Sequence, residues 1–218
     1  MNGIDYIAQI LQQEGVEWMS CFPSNPLISA AARIGIRPIA FRHERGAIMA
    51  ADGYSRISDR RRFGVVAVQA QAGAENIMGG LSQAYADNIP VLVMLGGNDL
   101  EQISVRPNFS AVQKMQGWAK RIEAIYTPSQ VGDVMRRAFH ALRNGTPGPV
   151  VGDMTADVCG QEIPEAALNY RSPKLVRQVP EARQRRDDVT TRPGGTTIGA
   201  TRRSLRASSM SSNRGWTG

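Results

Sequence analysis

Ile39-Ala40-Phe41-Arg42-His43-Glu44-Arg45-Gly46-Ala47 is the stretch from which the architecture of this chain can be read. Ile39 to Phe41 is a short apolar run with the character of a buried strand, and Arg45 onward has the character of a helix. Between them, with no loop to spare, stand an imidazole and a carboxylate. In an open parallel sheet the carboxyl ends of the strands form the ligand crevice. Glu44 therefore stands where an acid can do chemistry. The plainer role for the same residue is electrostatic, as an acidic side chain at the positive end of a helix dipole.

Outward from that stretch the alternation repeats. Ile4, Ile7, Ala8 and Leu11 recur at amphipathic-helix spacing, and Gly15 closes that helix. Residues 16–22 are expected as the first strand, broken by Pro23-Ser24-Asn25-Pro26, and 27–33 as a second helix. Residues 38–42 form the second expected strand and 45–57 the helix behind Glu44. Further strands are expected at 63–68, 90–95, 119–125 and 149–154, the first of them apolar enough to be buried on both faces. Helices are expected at 75–86 and 131–142, the latter opened by Thr127-Pro128-Ser129-Gln130 as a capping box. Gly79-Gly80 inside the former costs about 1 kcal/mol per glycine relative to alanine, which points to close backbone approach by another helix or a subunit. Residues 98–110 are irregular and long enough to carry function. Such alternation, with right-handed crossovers, predicts an α/β domain over residues 1–165: three α/β/α layers around a mainly parallel six-stranded sheet.

Composition sets further bounds. An apolar fraction of 42% in 218 residues supports a proper core, and no apolar run approaches the roughly 18 residues that would span a membrane. Asp5 precedes any basic residue, unlike a secretory leader. Cys21 and Cys159 stand apart from each other and from any ligand-spaced histidine. They read as core thiols of a cytoplasmic protein, and no metal site is expected. The net charge of +7 would suit a nucleic-acid binder, but it is uneven: residues 171–218 hold 11 basic and 3 acidic residues, and residues 1–170 hold 15 and 16. Residues 183–218 are Arg, Ser, Thr and Gly with scarcely an aliphatic side chain, so a disordered basic tail is expected there. That tail supports an alternative reading, an RNA-binding protein with an inert α/β domain. Against it stands the lack of aromatic residues for base stacking, Trp216 excepted.

Several segments together resemble a known family. They are Gly15-Val16, Pro23, Arg42-His43-Glu44-Arg45-Gly46-Ala47, Met49-Ala50-Ala51-Asp52-Gly53-Tyr54-Ser55-Arg56, Gly73-Ala74-Glu75-Asn76, Ala84-Tyr85-Ala86-Asp87 and Gly148-Pro149-Val150-Val151. In this order they resemble the N-terminal pyrimidine-binding (PYR) domain of thiamine-diphosphate-dependent enzymes of the acetolactate synthase, benzoylformate decarboxylase and pyruvate oxidase group. The resemblance implies a thiamine-diphosphate-binding fold, and a role for Glu44 as the catalytic carboxyl that hydrogen-bonds N1′ of the aminopyrimidine. Proton sharing there helps the cofactor lose its C2 proton, add to the carbonyl of a 2-oxo acid and act as electron sink. It further implies that Pro23, Gln69, Ala72, Gly73 and Asn76 line the cofactor together with Glu44. His43 would be a positioning or interface residue and His140 a surface one. The diphosphate and its Mg²⁺ would be held by a separate domain, carried by another chain of a homodimer or larger assembly.

The chain departs from the family pattern at named places. Ser24 replaces the usual glycine, Gln71-Ala72 replaces a Gly-Pro pair, and Phe109-Ser110-Ala111 replaces a Phe-Gln-Glu motif. The last change points away from acetolactate synthesis itself. Gly152-Asp153-Met154 lacks the following asparagine of a diphosphate-binding motif. Residues 166–182 resemble the linker toward the family's central domain, and 183–218 have the composition of an out-of-frame reading. The expectation is an N-terminal piece of an interrupted gene, inactive alone, whose Glu44 faces water without its partner. The alternative is the PYR subunit of a naturally split decarboxylase.

Overall fold

The computed structural model of this chain describes residues 1–173. The expectations for residues 174–218, including the basic tail, lie outside the described residues. Helix α1 (Gly3–Gln13) is capped by Asn2, whose side chain accepts the Asp5 N–H at 2.8 Å, and it is released at Gly15, which takes φ +80°. Strand β1 (Trp18–Cys21) leads to α2 (Pro26–Arg33), which has Asn25 as cap and proline at the first helical position. Then come β2 (Arg37–Ala40), α3 (Glu44–Ile57), β3 (Gly64–Gln69), α4 (Ala72–Asn76), α5 (Met78–Ala86) and β4 (Val91–Gly96). The chain continues through α6 (Ala111–Lys114), β5 (Arg121–Ile125), α7 (Val131–Arg143), β6 (Val150–Met154) and α8 (Ala156–Gly160).

The six strands form one sheet in the order β2-β1-β3-β4-β6-β5, and every pairing is parallel. Right-handed crossovers dictate which face each helix covers. Steps from β1 to β2 and from β5 to β6 run one way across the sheet, and α2 and α7 pack on the same face with α1. Steps from β2 to β3 and from β3 to β4 run the other way, so α3 and α5 cover the opposite face. The period of two along the strands divides the core to match. Val65, Ala67, Leu92 and Met94 face α1, α2 and α7, while Val66, Val68, Val93 and Leu95 face α3 and α5. Among the described residues no helix is long and apolar enough to cross a membrane. Cys21 and Cys159 are buried free thiols, and burial pushes the Cys159 thiol up to about 12.

Three local expectations are corrected. The helix expected at 75–86 is two helices, α4 and α5, which meet at Ile77. Ile77 is fully buried, so the hydrophobic period runs through the break without a mark. The capping box is not formed. Thr127 makes no side-chain cap, residues Pro128–Gln130 form a 3₁₀ turn, and Gln130 Oε1 accepts from the Tyr126 N–H at 3.3 Å. Beyond β6 the chain turns into α8, which the sequence reading did not expect. At the end of the described chain, Tyr170 packs back on the domain: its N–H donates to Tyr6 Oη at 2.9 Å and its hydroxyl to Glu14.

Candidate functional site

Glu44 enters its position because β2 and α3 are joined by three residues. His43 is the cap of α3, extended at φ −156°, and its Nδ1 accepts the Arg45 N–H at 3.1 Å. That fixes the first turn, and Glu44 begins the helix with its side chain turned inward, 3% exposed. Helix α3 then crosses over β1 to pack on β3, as a right-handed connection requires. Its first turn thus lies beside the loop after β3. The chain leaves β1 for β2 on one side and returns to β3 on the other. This is the switch point of an open α/β sheet, where ligand crevices form.

The residues expected around Glu44 separate into two groups. Asn76, at the end of α4, donates from Nδ2 to Glu44 Oε2 at 2.9 Å. Gly73 lies against the same carboxyl: a Cβ built there would stand 3.5 Å from Glu44 Oε1 and 2.7 Å from Gln69 Cγ. Glu44, Gln69, Gly73 and Asn76 therefore form one cluster at the carboxyl ends of β2 and β3. Ala72 starts α4 and is exposed, and Pro23 is exposed in the loop after β1. No hydrogen bond among the described residues ties Pro23 to the cluster. Its loop nonetheless lies between those of β2 and β3, since β1 is their common neighbour. His140 is exposed on α7, as expected. Glu44 as a whole is buried, although its Oε1 keeps contact with solvent. The helical turn of α4 and the Asn76 amide close over it, leaving Oε2 occupied and Oε1 without a hydrogen-bond partner among the described residues.

The substitutions noted in the sequence acquire physical content here. Ser24 takes φ +95° and Gln71 φ +55°, both in the left-handed region that favours glycine. At Gln71 the side chain is used: Nε2 donates to Phe109 O at 3.3 Å, and Oε1 accepts the Phe109 N–H at 3.2 Å. The loop after β3 thereby grips the long loop after β4. Lys114 Nζ sits 4.0 Å above the Phe109 ring and pairs with Glu75.

Two buried polar residues were not anticipated. Asn25, 4% exposed, caps α2 with Oδ1 and donates from Nδ2 to Val68 O at 2.8 Å and Met94 O at 3.2 Å, tying the ends of β3 and β4 to the loop after β1. Asn followed by Pro at a strand end was the available signal. Asp153, 6% exposed at the end of β6, has its carboxyl pushed up to about 6 by burial. A Cβ at position 97 would stand 2.6 Å from both Asp153 Oδ1 and the Met154 carbonyl oxygen, and the backbone contact keeps that position glycine. Among the described residues no group of three His, Cys, Asp or Glu side chains could hold a metal ion.

Comparison with known proteins agrees with this geometry. Residues 1–123 match the family described as thiamine pyrophosphate enzyme, N-terminal TPP binding domain. The acetolactate synthase large subunit of Haemophilus influenzae is 29% identical over 188 residues, covering 81% of this chain and 31% of that protein. The large subunit of Lactococcus lactis is 32% identical over 172 residues, covering 75% and 29%. A probable large subunit from Methanocaldococcus jannaschii is 32% identical over 174 residues, covering 75% and 28%. The chain thus spans under a third of the length of the curated relatives it matches. With an all-parallel six-stranded sheet, a Glu44–Asn76 pair at its switch point and a family match over residues 1–123, the chain belongs to the family of thiamine pyrophosphate enzymes, as an acetolactate synthase-like N-terminal domain.

Proposed function

We propose that this chain supplies the pyrimidine-binding wall of a thiamine-diphosphate site, with Glu44 as the carboxyl that meets N1′ of the aminopyrimidine. One observation carries the reading: a carboxyl 3% exposed, with Oε2 held by Asn76 and Oε1 open. Such a group can share one proton with a ring nitrogen in largely desolvated surroundings. The absence of a side chain at Gly73 lets Gln69 pack beside the carboxyl, since a Cβ there would stand 2.7 Å from Gln69 Cγ. When bound, thiamine diphosphate supplies an electron sink for carbanion chemistry at the carbonyl of a 2-oxo acid. Glu44 holds the shared proton at Oε1, and Asn76 keeps the carboxyl from rotating away. Pro23, Gln69 and Ala72 extend the wall. The diphosphate and Mg²⁺ fall to a diphosphate-binding domain of another chain, in a homodimer or larger assembly.

The test is complementation. The full chain, mixed with a diphosphate-binding domain of an acetolactate synthase, cofactor and Mg²⁺, should turn over a 2-oxo acid, and Glu44→Gln should lower that turnover by about 100-fold or more. Glutamine keeps size and hydrogen bonding but cannot hold the proton. Equal turnover with glutamine would remove Glu44 from the role.

A further inference from the structure

At the amino-terminal edge of the sheet, opposite Glu44, lies a cleft of about 530 Å³ that the reading above does not use. Its size suits a small organic ligand. Trp18, at the start of β1, meets Tyr54 of α3 edge-on, with ring centroids 5.1 Å apart, and Phe63 lines the wall before β3. Arg60, Arg61 and Arg62 stand at the mouth.

The charges do not cancel. Glu14 is neutralised by Arg143 at 2.5 Å, and that guanidinium also lies over the Phe63 and Phe139 rings at 5.7 and 5.5 Å. Arg61 meets only Asp59, at 3.9 Å and with both side chains at least 80% exposed, a pair that water screens. Among the described residues Arg60 and Arg62 make no ion pair. Glu17 is the one other acid in the cleft and attracts Arg62, which leaves Arg60 and Arg61 uncompensated apart from the screened Asp59 pair.

The turn that presents these arginines is built, not slack. Asp59 and Arg60 take φ +54° and +60° in succession, neither being glycine. Left-handed backbone of this kind costs about 1–2 kcal/mol per residue and persists where the surroundings over-determine it. Ser58 Oγ accepts the Arg62 N–H at 3.1 Å and closes the turn. Arg60 Nη2 donates to Asp87 O at 3.2 Å, and Arg62 Nη1 to Tyr54 Oη at 3.3 Å. Each guanidinium is thus anchored by one N–H, with others left to donate.

We propose that this cleft binds a phosphorylated aromatic ligand of nucleotide size, its ring against Trp18, Tyr54 and Phe63 and its phosphate on Arg60 and Arg62. Planar rings stack on aromatic floors, and guanidinium pairs suit phosphate oxygens. The site is independent of the Glu44 cluster.

Isothermal titration of the full chain at low salt with ADP, adenosine and inorganic phosphate tests it. ADP should bind at one site, more tightly than either fragment. The pair Arg60→Gln/Arg62→Gln should weaken it about tenfold or more, with an unchanged circular dichroism spectrum. A control carrying Arg183→Gln, Arg185→Gln and Arg186→Gln should bind as wild type does. The proposal is overturned by absence of ADP binding, by binding indifferent to the Arg60/Arg62 pair, or by equal loss in the control. It is overturned equally if phosphate or adenosine alone binds as well as ADP.

Discussion

A carboxylate taken out of water needs a donor, and for Glu44 that donor is the Asn76 amide at 2.9 Å. Asn76→Ala leaves that oxygen without its partner, at a cost of about 1–3 kcal/mol. Urea unfolding of the full chain should show a lower midpoint with an unchanged slope. An unchanged midpoint would mean that the amide does not hold Glu44. Asp153 carries a second prediction at this scale. It makes no ion pair among the described residues, and burial raises its carboxyl to about 6 from an ordinary value of 3.8. The folded chain thus holds this proton more tightly than the unfolded one. Its contribution is full below the unfolded value and is lost as pH rises through about 6. Asp153→Asn should therefore change little near pH 3.8 and stabilise the protein by up to about 3 kcal/mol above pH 6. Stability curves for the two proteins that run parallel across this window would refute it.

Adjacent glycines in α5 make opposite predictions at the scale of elements. A Cβ on Gly80 would run into Ile48 Cγ2 of α3, whereas one on Gly79 would meet only Arg45 Nη2, at 3.7 Å. Gly80→Ala should force α3 and α5 apart and cost about 1–3 kcal/mol, while Gly79→Ala should stabilise by about 0.5–1 kcal/mol through helix propensity alone. Thermal melts of both variants decide it, and shifts of the same sign would defeat the packing argument. The Gly-Gly pair announced close approach in the sequence, but one-dimensional spacing could not say which glycine faces α3. The same limit explains what else was legible. Periods of 2 and 3.6 located the six strands and most helices, and right-handed crossovers then left little freedom in the layers. The break at Ile77 was invisible because Ala74, Ile77 and Leu81 are all buried and keep the period across it. Glu44 was legible as a residue at a strand end. Its bond to Asn76, the Gln71 grip on Phe109 and the three-way ties of Asn25 join loops far apart in sequence, and no local pattern encodes such contacts.

Taken whole, the molecule has two edges with opposite chemistry. The carboxyl edge carries the Glu44–Asn76 pair, proposed to meet a neutral ring, and the amino edge carries Arg60 and Arg62, proposed to meet an anion. The chain spans under a third of the length of the relatives it matches. On the proposed reading the wall formed by Glu44, Gln69, Gly73 and Asn76 contacts the aminopyrimidine and itself carries no cation for a diphosphate. Thiamine and thiamine diphosphate should therefore bind the isolated chain at Glu44 with similar, weak affinity, within about threefold of each other, and neither should be turned over with a 2-oxo acid. The arginine cleft complicates the measurement, because a phosphorylated aromatic cofactor also fits its chemistry. Two variants separate the edges. Affinity that falls with Glu44→Gln and ignores the diphosphate belongs to the carboxyl edge. Affinity that needs the diphosphate, survives Glu44→Gln and falls with Arg60→Gln/Arg62→Gln belongs to the amino edge. If thiamine diphosphate bound far more tightly than thiamine and the difference vanished with Glu44→Gln, the diphosphate would be held beside Glu44 by this chain itself. The division of labour with a second domain would then be wrong.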